Sequence, residues 1–488
     1  MAREAAGNLV ARVAELELLA ARLEAKLAAQ EKQIARKDEP LIEKTNRIKE
    51  LEKALEDAHR RSKRQSAPFS KGDPKAEPAR SGRKSGEAHD RHGHRSVPTV
   101  PPDRELDAPL PACCPHCGGE VEHERDGEQW QVDVPEVRPT TTRFKVGMGR
   151  CRSCKRRIQG RHPEQTSDAL GAAGSQIGPV LKGWAMLLHY RMGLGFGRTA
   201  EVLARFGVKV TAGAICQSSA RAVSTDLLPV HRELVRRANR SASITMDETS
   251  WRVGGQRKWL WVAANSELTL CGVGDGRGFD QAIEVIGADY EGVLVRDGYV
   301  TYNRYDKATH QSCIAHLARR CHEMEAGLPA ADRDVPGAAK AILSAALRAR
   351  DLPEERAAAG VELKDRLDAL AVTSVGNDAN RLLEHLGKQA LYLFTFLSVE
   401  GVDATNFRGE QAVRPCAVNR KTWGGNRTWN GTRTHGVITC ILAAAAEHGV
   451  DTVDYLAARA RNPDPRPAVL LGWRPGQPIP VVSSTHSV

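Results

Sequence analysis

The stretch Ser243-Ile-Thr-Met-Asp-Glu-Thr249 sets apolar Ile244 and Met246 against Thr245 and Asp247, the period-two alternation of a β-strand. Two further runs, Lys258-Trp-Leu-Trp-Val-Ala-Ala264 and Thr269-Leu-Cys-Gly-Val-Gly274, follow at hairpin distance, so the three predict an antiparallel meander. Phe279–Ile286 reads as a short helix. Gly292-Val-Leu-Val-Arg-Asp-Gly298 is then a fourth strand, on which Val293, Val295 and Asp297 share a face and which Gly298 ends. Asp247 and Asp297 therefore stand on strands, 50 positions apart. A carboxylate in such a place needs a partner, and a divalent cation is the simplest one.

A third carboxylate lies downstream in Asp403-Ala-Thr-Asn-Phe-Arg-Gly-Glu410-Gln-Ala-Val-Arg414-Pro415. Asp403 or Thr405 can cap a short helix there, and Pro415 is expected to stop it. Asn406, Glu410 and Arg414 then fall one turn apart on one face. Two strand aspartates and one helix glutamate are hard oxygen donors that can hold two Mg²⁺ ions about 3.5–4 Å apart. One ion would activate water or a DNA 3′-hydroxyl, and the other would steady the leaving oxygen of a phosphodiester. Glu248 points to the opposite face of its strand from Asp247 and is left out of this set.

Composition supports a phosphate-bearing partner. The chain has 488 residues, enough for about three or four domains, which excludes a single small binding module. Lys and Arg number 71 against 60 Asp and Glu, a net charge of +11, and the pI of about 9.2 favours a polyanion. Aromatic residues make up only 5%, which argues against single-strand stacking platforms. No apolar run approaches the ~20 residues of a membrane span, so no membrane partner is expected. The N-terminus has no basic cap followed by an apolar core, and four of the eleven cysteines form two C-x-x-C pairs. Both features point to a reduced cytoplasm and a metal site rather than to disulfides.

The remaining segments have distinct characters. Residues 1–58 carry imperfect heptads (Val13, Ala20, Leu27, Ile34, Leu41, Ile48 and Leu55 in one register), which predict a coiled coil interrupted at Pro40 and a homo-oligomer paired through it. Residues 59–110 form a basic linker. Its first part, 59–95, has 11 Lys/Arg against 4 Asp/Glu and too little apolar content to fold alone. Residues 111–163 contain Cys114-Pro-His-Cys117-Gly-Gly and Cys151-Arg-Ser-Cys154, which predict a zinc ribbon with one structural Zn²⁺ held by Cys114, Cys117, Cys151 and Cys154. Gln129–Val134 and Thr142–Val146 alternate and are expected to form a hairpin between the two turns. Residues 164–240 read as helical. Within them Gly197–Phe206, Gly207 and Thr211–Val223 have helix–turn–helix spacing, and Arg198, Arg205, Lys209 and Arg221 are in reach of DNA. A packed hairpin with solvated charges is the plainer alternative. Residues 328–395 read as a helical insertion, and 446–488 as a C-terminal helix and tail. Arg414, Arg420 and Lys421 begin a basic stretch suited to phosphates near Glu410. His310, Cys313, His316, Cys321 and His322 also have ligand chemistry, but His316 reads better as a phosphate neighbour or a packed core residue.

The order of these motifs resembles the insertion sequence 66 family of transposases over nearly the whole chain. The resemblance is carried by the paired cysteine turns, Asp247-Glu-Thr leading to Trp259-Leu-Trp-Val, Asp297-Gly-Tyr-Val-Thr-Tyr-Asn303 and Cys313-Ile-Ala-His316-Leu-Ala-Arg-Arg. It continues through Thr405-Asn-Phe-Arg-Gly-Glu410-Gln-Ala-Val-Arg-Pro and Asn419-Arg-Lys-Thr-Trp-Gly-Gly425. The family's glutamate motif commonly reads T-N-N-x-A-E-R-A-L-R-P, from which Phe407, Gly409, Gln411 and Val413 depart. The resemblance implies a multidomain α+β or α/β chain whose residues 241–445 form an RNase-H-like core. Asp247, Asp297 and Glu410 would be its catalytic triad, with two Mg²⁺ per active site. It also implies double-stranded DNA partners (terminal repeats and target), small accessory transposition proteins, and action at the bacterial nucleoid. Two other readings use the same features. A non-catalytic zinc-ribbon regulator derived from a transposase would bind DNA without cutting it. A coiled-coil adaptor would need neither the cysteine turns nor the strand aspartates.

Overall fold

The computed structural model describes residues 20, 21, 23, 24, 26–28, 95–134, 136–174, 176–328, 333–371 and 377–462. The seven residues from the coiled-coil region are helical and exposed. The rest of the expected coiled coil, the linker before residue 95 and the tail after residue 462 lie outside the described residues. From residue 95 on, the described residues divide into two compact units, the first within 295–300 and 310–406 and the second within 95–294, 301–309 and 407–462.

In the second unit, the cysteine region contains two short strands, β1 (Met148–Arg150) and β2 (Arg157–Gln159), paired antiparallel with Gly149 opposite Ile158. They flank the Cys151 turn. The hairpin expected from Gln129–Val134 and Thr142–Val146 does not form. Val132 and Val134 are exposed, and alternation without a surface to bury one face cannot hold a strand.

Four helices follow: α1 (Pro179–Met186), α2 (Phe196–Arg205), α3 (Ala212–Ala222) and α4 (Leu228–Ala238). Their sequence logic is local. Gly207, at φ +81°, ends the α2 turn, and the Thr211 hydroxyl caps α3 by accepting the Ala214 N–H at 3.1 Å. Ala185, Leu188, Leu203 and Ile215 make the shared core of α1–α3, with Leu181, Leu194 and Phe196 packed around it. Two π-helical turns, Leu187–Arg191 and Val223–Leu227, extend α1 and α3.

The meander is β3 (Ser243–Val253), β4 (Gln256–Ala264) and β5 (Thr269–Gly274), antiparallel throughout, with Asp247 opposite Val262 and Val262 opposite Cys271. A single helical turn, α5 (Phe279–Ala282), precedes β6 (Val293–Arg296), and β7 is Thr309–Ser312. The sheet order is β5-β4-β3-β6-β7. At the near ends of β6 and β7, Val293 N–H donates to Ala242 O at 2.8 Å and Thr309 N–H to Gly292 O at 3.2 Å. Thr245 and Asp247, expected on a polar face, are both buried, so β3 is covered on both faces over its first half.

The C-terminal helices of this unit close over the meander. α11 (Phe407–Trp423) packs against β3 and β4, and α12 (Trp429–Glu447) against β5, before α13 (Thr452–Arg461). Pro415 does not stop α11; it lies inside the helix. The missing N–H and the ring clash of an interior proline cost about 3 kcal/mol. Burial of Val413, Cys416, Ala417 and Asn419 on the same helix offsets that cost.

In the first unit, β7 leads into α6 (Ile314–Gly327), α7 (Asp334–Ala349), α8 (Arg356–Ala371), α9 (Asn377–Gln389), a 3₁₀ turn Ala390–Tyr392 and the short α10 (Thr395–Ser398). Ala339, Ile342, Leu343 and Ala346 of α7, Leu363 and Leu367 of α8, and Leu382 and Leu386 of α9 are buried at helical spacing.

Candidate active site

Asp247 sits at the middle of β3, 4% exposed, and its Oδ1 accepts the Glu248 N–H at 2.9 Å. Glu248 turns the other way and has a structural task. Its carboxylate takes Arg277 Nε at 2.8 Å, Arg277 Nη2 and the Tyr302 hydroxyl, with the side chain 1% exposed. Arg277 lies 4.8 Å from the centre of the Trp259 ring. A buried carboxylate is tolerable only when its lone pairs are satisfied in this way. The clamp fixes β3 immediately beside Asp247.

Glu410 stands in the first turn of α11, half-buried. A carboxylate there is favoured by the helix dipole. The same helix is fastened to β3 by Arg420, whose Nη1 donates to Ser250 Oγ at 2.6 Å, Thr249 Oγ1 at 3.3 Å and Ser250 O. Burial, then neighbouring Arg252 and Arg257, lower the Arg420 pKa. Arg420 thus engages the strand that carries Asp247, while Arg414 and Lys421 are exposed.

Asp297 belongs to the first unit, one residue past the end of β6 and 4% exposed. Its Oδ1 accepts the Tyr299 N–H at 2.8 Å, and its backbone carbonyl accepts Arg296 Nη1 at 3.0 Å. A cleft beside it is lined by Gly298, Ser312, Cys313, His316, His385 and Gln389. Burial lowers the His316 pKa to about 4, so its ring is neutral near neutrality. Sequence reasoning missed His385 and Gln389. Both lie on α9 in the helical insertion, some 90 residues from Asp297, and no local motif marks them.

Arg198 and Lys209 are exposed on α2 and on the turn before α3. The cysteine turns are built alike. Cys114 N–H donates to Gly119 O and Gly118 N–H to Cys114 O; Cys151 N–H donates to Arg156 O and Lys155 N–H to Cys151 O. The fifth position of each turn has positive φ, +74° at Gly118 and +58° at Lys155. Backbone N–H groups, led by His116 at the first turn and Cys154 at the second, lower the pKa of Cys114 and Cys151. Each turn therefore suits a thiolate pair. Among the described residues, however, no three His, Cys, Asp or Glu side chains gather as a metal cluster. None of the eleven cysteines is in a disulfide, and no described helix is long and apolar enough to cross a membrane.

Strand β3 with Asp247 and helix α11 with Glu410 are tied by the Arg420 hydrogen bonds on a mixed α/β scaffold, and the hard oxygen donors they carry are those of enzymes that work with divalent cations. Residues 174–434, more than half of the chain, match the family model described as Transposase IS66 family, and the chain belongs to that family. It is a transposase, an enzyme that cleaves DNA and transfers strands, and a divalent metal is the cofactor its class uses. No curated protein matches the chain.

Proposed function

We propose that the protein cuts DNA at the ends of its element and joins the exposed 3′-hydroxyls to target DNA, with Asp247, Asp297 and Glu410 as its catalytic carboxylates. The observation that carries this reading is the local setting of the three. Asp247 and Asp297 are buried at a strand centre and a strand end, and Glu410 is half-buried in a helix first turn. The donors are all hard oxygens and suit Mg²⁺. When bound, the ions would supply charge neutralisation at the attacking and leaving oxygens. Among the chain's own residues, Arg420 fixes α11 against β3 and so relates the two second-unit carboxylates, while Glu248, Arg277 and Tyr302 form a buried clamp that stabilises the fold around β3. The β5-β4-β3-β6-β7 order with an antiparallel β3–β5 meander supports an RNase-H-like core. Exposed Arg198, Lys209, Arg414 and Lys421 are the proposed phosphate contacts, and Arg420 contributes through α11. The matching cysteine turns support one Zn²⁺ that draws Cys114, Cys117, Cys151 and Cys154 together on binding. Residues 1–58 would pair subunits across two DNA ends.

The test is strand transfer with the full chain on a duplex carrying the element's own end, with and without Mg²⁺. Joined products that require Mg²⁺ support the reading. Binding without any cleavage would favour a DNA-binding regulator instead.

A further inference from the structure

The first unit contains a buried polar chain that starts at Asp297 and ends in the helical insertion. Arg296 is wholly buried. Its Nη1 donates to the Asp297 carbonyl at 3.0 Å and to Gln389 Oε1 at 2.7 Å, and its guanidinium lies 5.3 Å from the centre of the Tyr392 ring. Gln389 Oε1 also accepts the Ser312 hydroxyl at 2.6 Å, from the end of β7. Gln389 is 7% exposed, and its one amide oxygen joins the last residue of α9 to the ends of two strands. A second amide repeats the pattern. Gln311 Nε2 donates to Leu393 O at 3.0 Å while its Oε1 accepts the Phe396 N–H at 2.9 Å.

A buried guanidinium costs several kcal/mol unless its donors are met. Here α9 and the turn after it supply an acceptor for Nη1 and an aromatic face. The same Nη1 that holds the Asp297 carbonyl is thus held by Gln389 of the insertion. We propose that Gln389 is a positioning residue for Asp297, and that the helical insertion serves the reaction by fixing that carboxylate's backbone through Gln389 and Arg296. This rests on the reading of Asp297 as a metal-holding carboxylate. It gives the insertion a task at the site besides enclosing its own core.

Outer partners of metal-holding groups change metal affinity or activity by roughly 10–100-fold when removed. The experiment is a Mg²⁺ titration of end cleavage by wild type, Gln389→Leu, Gln389→Glu, Ser312→Ala and Asp297→Asn, beside gel shifts and thermal melting of each protein. Gln389→Leu should bind end DNA like wild type but need about tenfold more Mg²⁺ for half-maximal cleavage. Gln389→Glu keeps the acceptor and should restore the wild-type requirement. Should Gln389→Leu fail to fold, Ser312→Ala, which buries no unpaired charge, should still raise the Mg²⁺ requirement by about threefold, within the loss of one hydrogen bond. A wild-type Mg²⁺ requirement in folded Gln389→Leu, or in Ser312→Ala when Gln389→Leu does not fold, overturns the proposal. So does a loss of rate that is the same at every Mg²⁺ concentration. Cleavage by Asp297→Asn at the wild-type rate instead overturns the reading of the site itself, a separate outcome.

Discussion

Arg420 of α11 holds Ser250 of β3, with Nη1 donating to the serine Oγ at 2.6 Å. Helix α11 carries Glu410 and strand β3 carries Asp247, so one guanidinium ties together the two elements that present these carboxylates in the second unit. Trp251 reinforces the seam from the next position, where its indole N–H donates to Asn426 Oδ1 at 2.9 Å, three residues past the end of α11.

Arg420 and Lys421 should therefore behave differently although they are neighbours in sequence. Arg420→Ala removes hydrogen bonds from a charged donor and should lower stability by about 1.5–3 kcal/mol. Lys421→Ala should leave stability alone and reduce the salt dependence of DNA binding by about one phosphate contact. Urea unfolding and binding isotherms over a range of salt check both. A change in salt dependence for Lys421→Ala no larger than that for Arg420→Ala would remove Lys421 from the DNA surface.

The second cysteine turn has Lys155 at φ +58°, where the first has Gly118. An L side chain in that conformation costs about 1–2 kcal/mol. Lys155→Gly should relieve it and tighten Zn²⁺ binding several-fold in chelator competition. Weaker binding would mean that the lysine side chain contributes more than its backbone strain costs.

Glu248→Ala should destabilise the fold by about 3 kcal/mol, the lower end for a broken buried pair because Arg277 keeps a third of its side chain in water. Its Mg²⁺ requirement for cleavage should stay near wild type once the protein is folded. Denaturant midpoints and a Mg²⁺ titration read the two separately. A selective rise in the Mg²⁺ requirement would place Glu248 among the metal-holding groups.

Stability should fall in mild acid. His189 and His435 are buried in an aromatic cluster with Phe196, Trp251 and Trp423, and burial brings their pKa values down to about 4 and about 3. In the unfolded chain a histidine titrates near pH 6.5, so below that pH the unfolded state binds protons that the native state does not. The unfolding free energy therefore decreases as pH drops from about 6.5 toward 4, by up to about 1.4 kcal/mol per pH unit for each histidine. Neither ring nitrogen of His435 hydrogen-bonds among the described residues. His435→Phe should keep the stacking on Trp251 and remove one of the two proton terms. Urea unfolding at about pH 5 and about pH 7 measures it, and an unchanged pH dependence would contradict the assignment.

Local chemistry made much of this architecture readable from sequence. Gly207 and Thr211 set the α2–α3 turn, and the apolar alternation of β3–β5 set the meander. Reading failed where tertiary packing overrides a local rule. Pro415 is a helix breaker by itself, yet α11 continues through it because that helix is buried against the sheet. The alternation at Gln129–Val134 had no surface to pack on. The proposed carboxylates Asp247, Asp297 and Glu410 could be picked out because each lies in a short motif with a strand or helix signature. Gln389 was not. Its role comes from Arg296, 93 positions away, and side chains joined across that distance leave no spacing to find.

The proposed division, in which Asp247, Asp297 and Glu410 carry the chemistry and other residues carry the DNA, is tested by separating cleavage from binding. Gel shifts and strand-cleavage assays on end DNA should be run side by side for wild type, Asp247→Asn, Asp297→Asn and Glu410→Gln. Each substitution removes a ligand charge while nearly keeping its shape. Cleavage should fall by at least about a hundredfold in all three while DNA affinity stays within about threefold of wild type. Cleavage at the wild-type rate by any one of them would contradict that division.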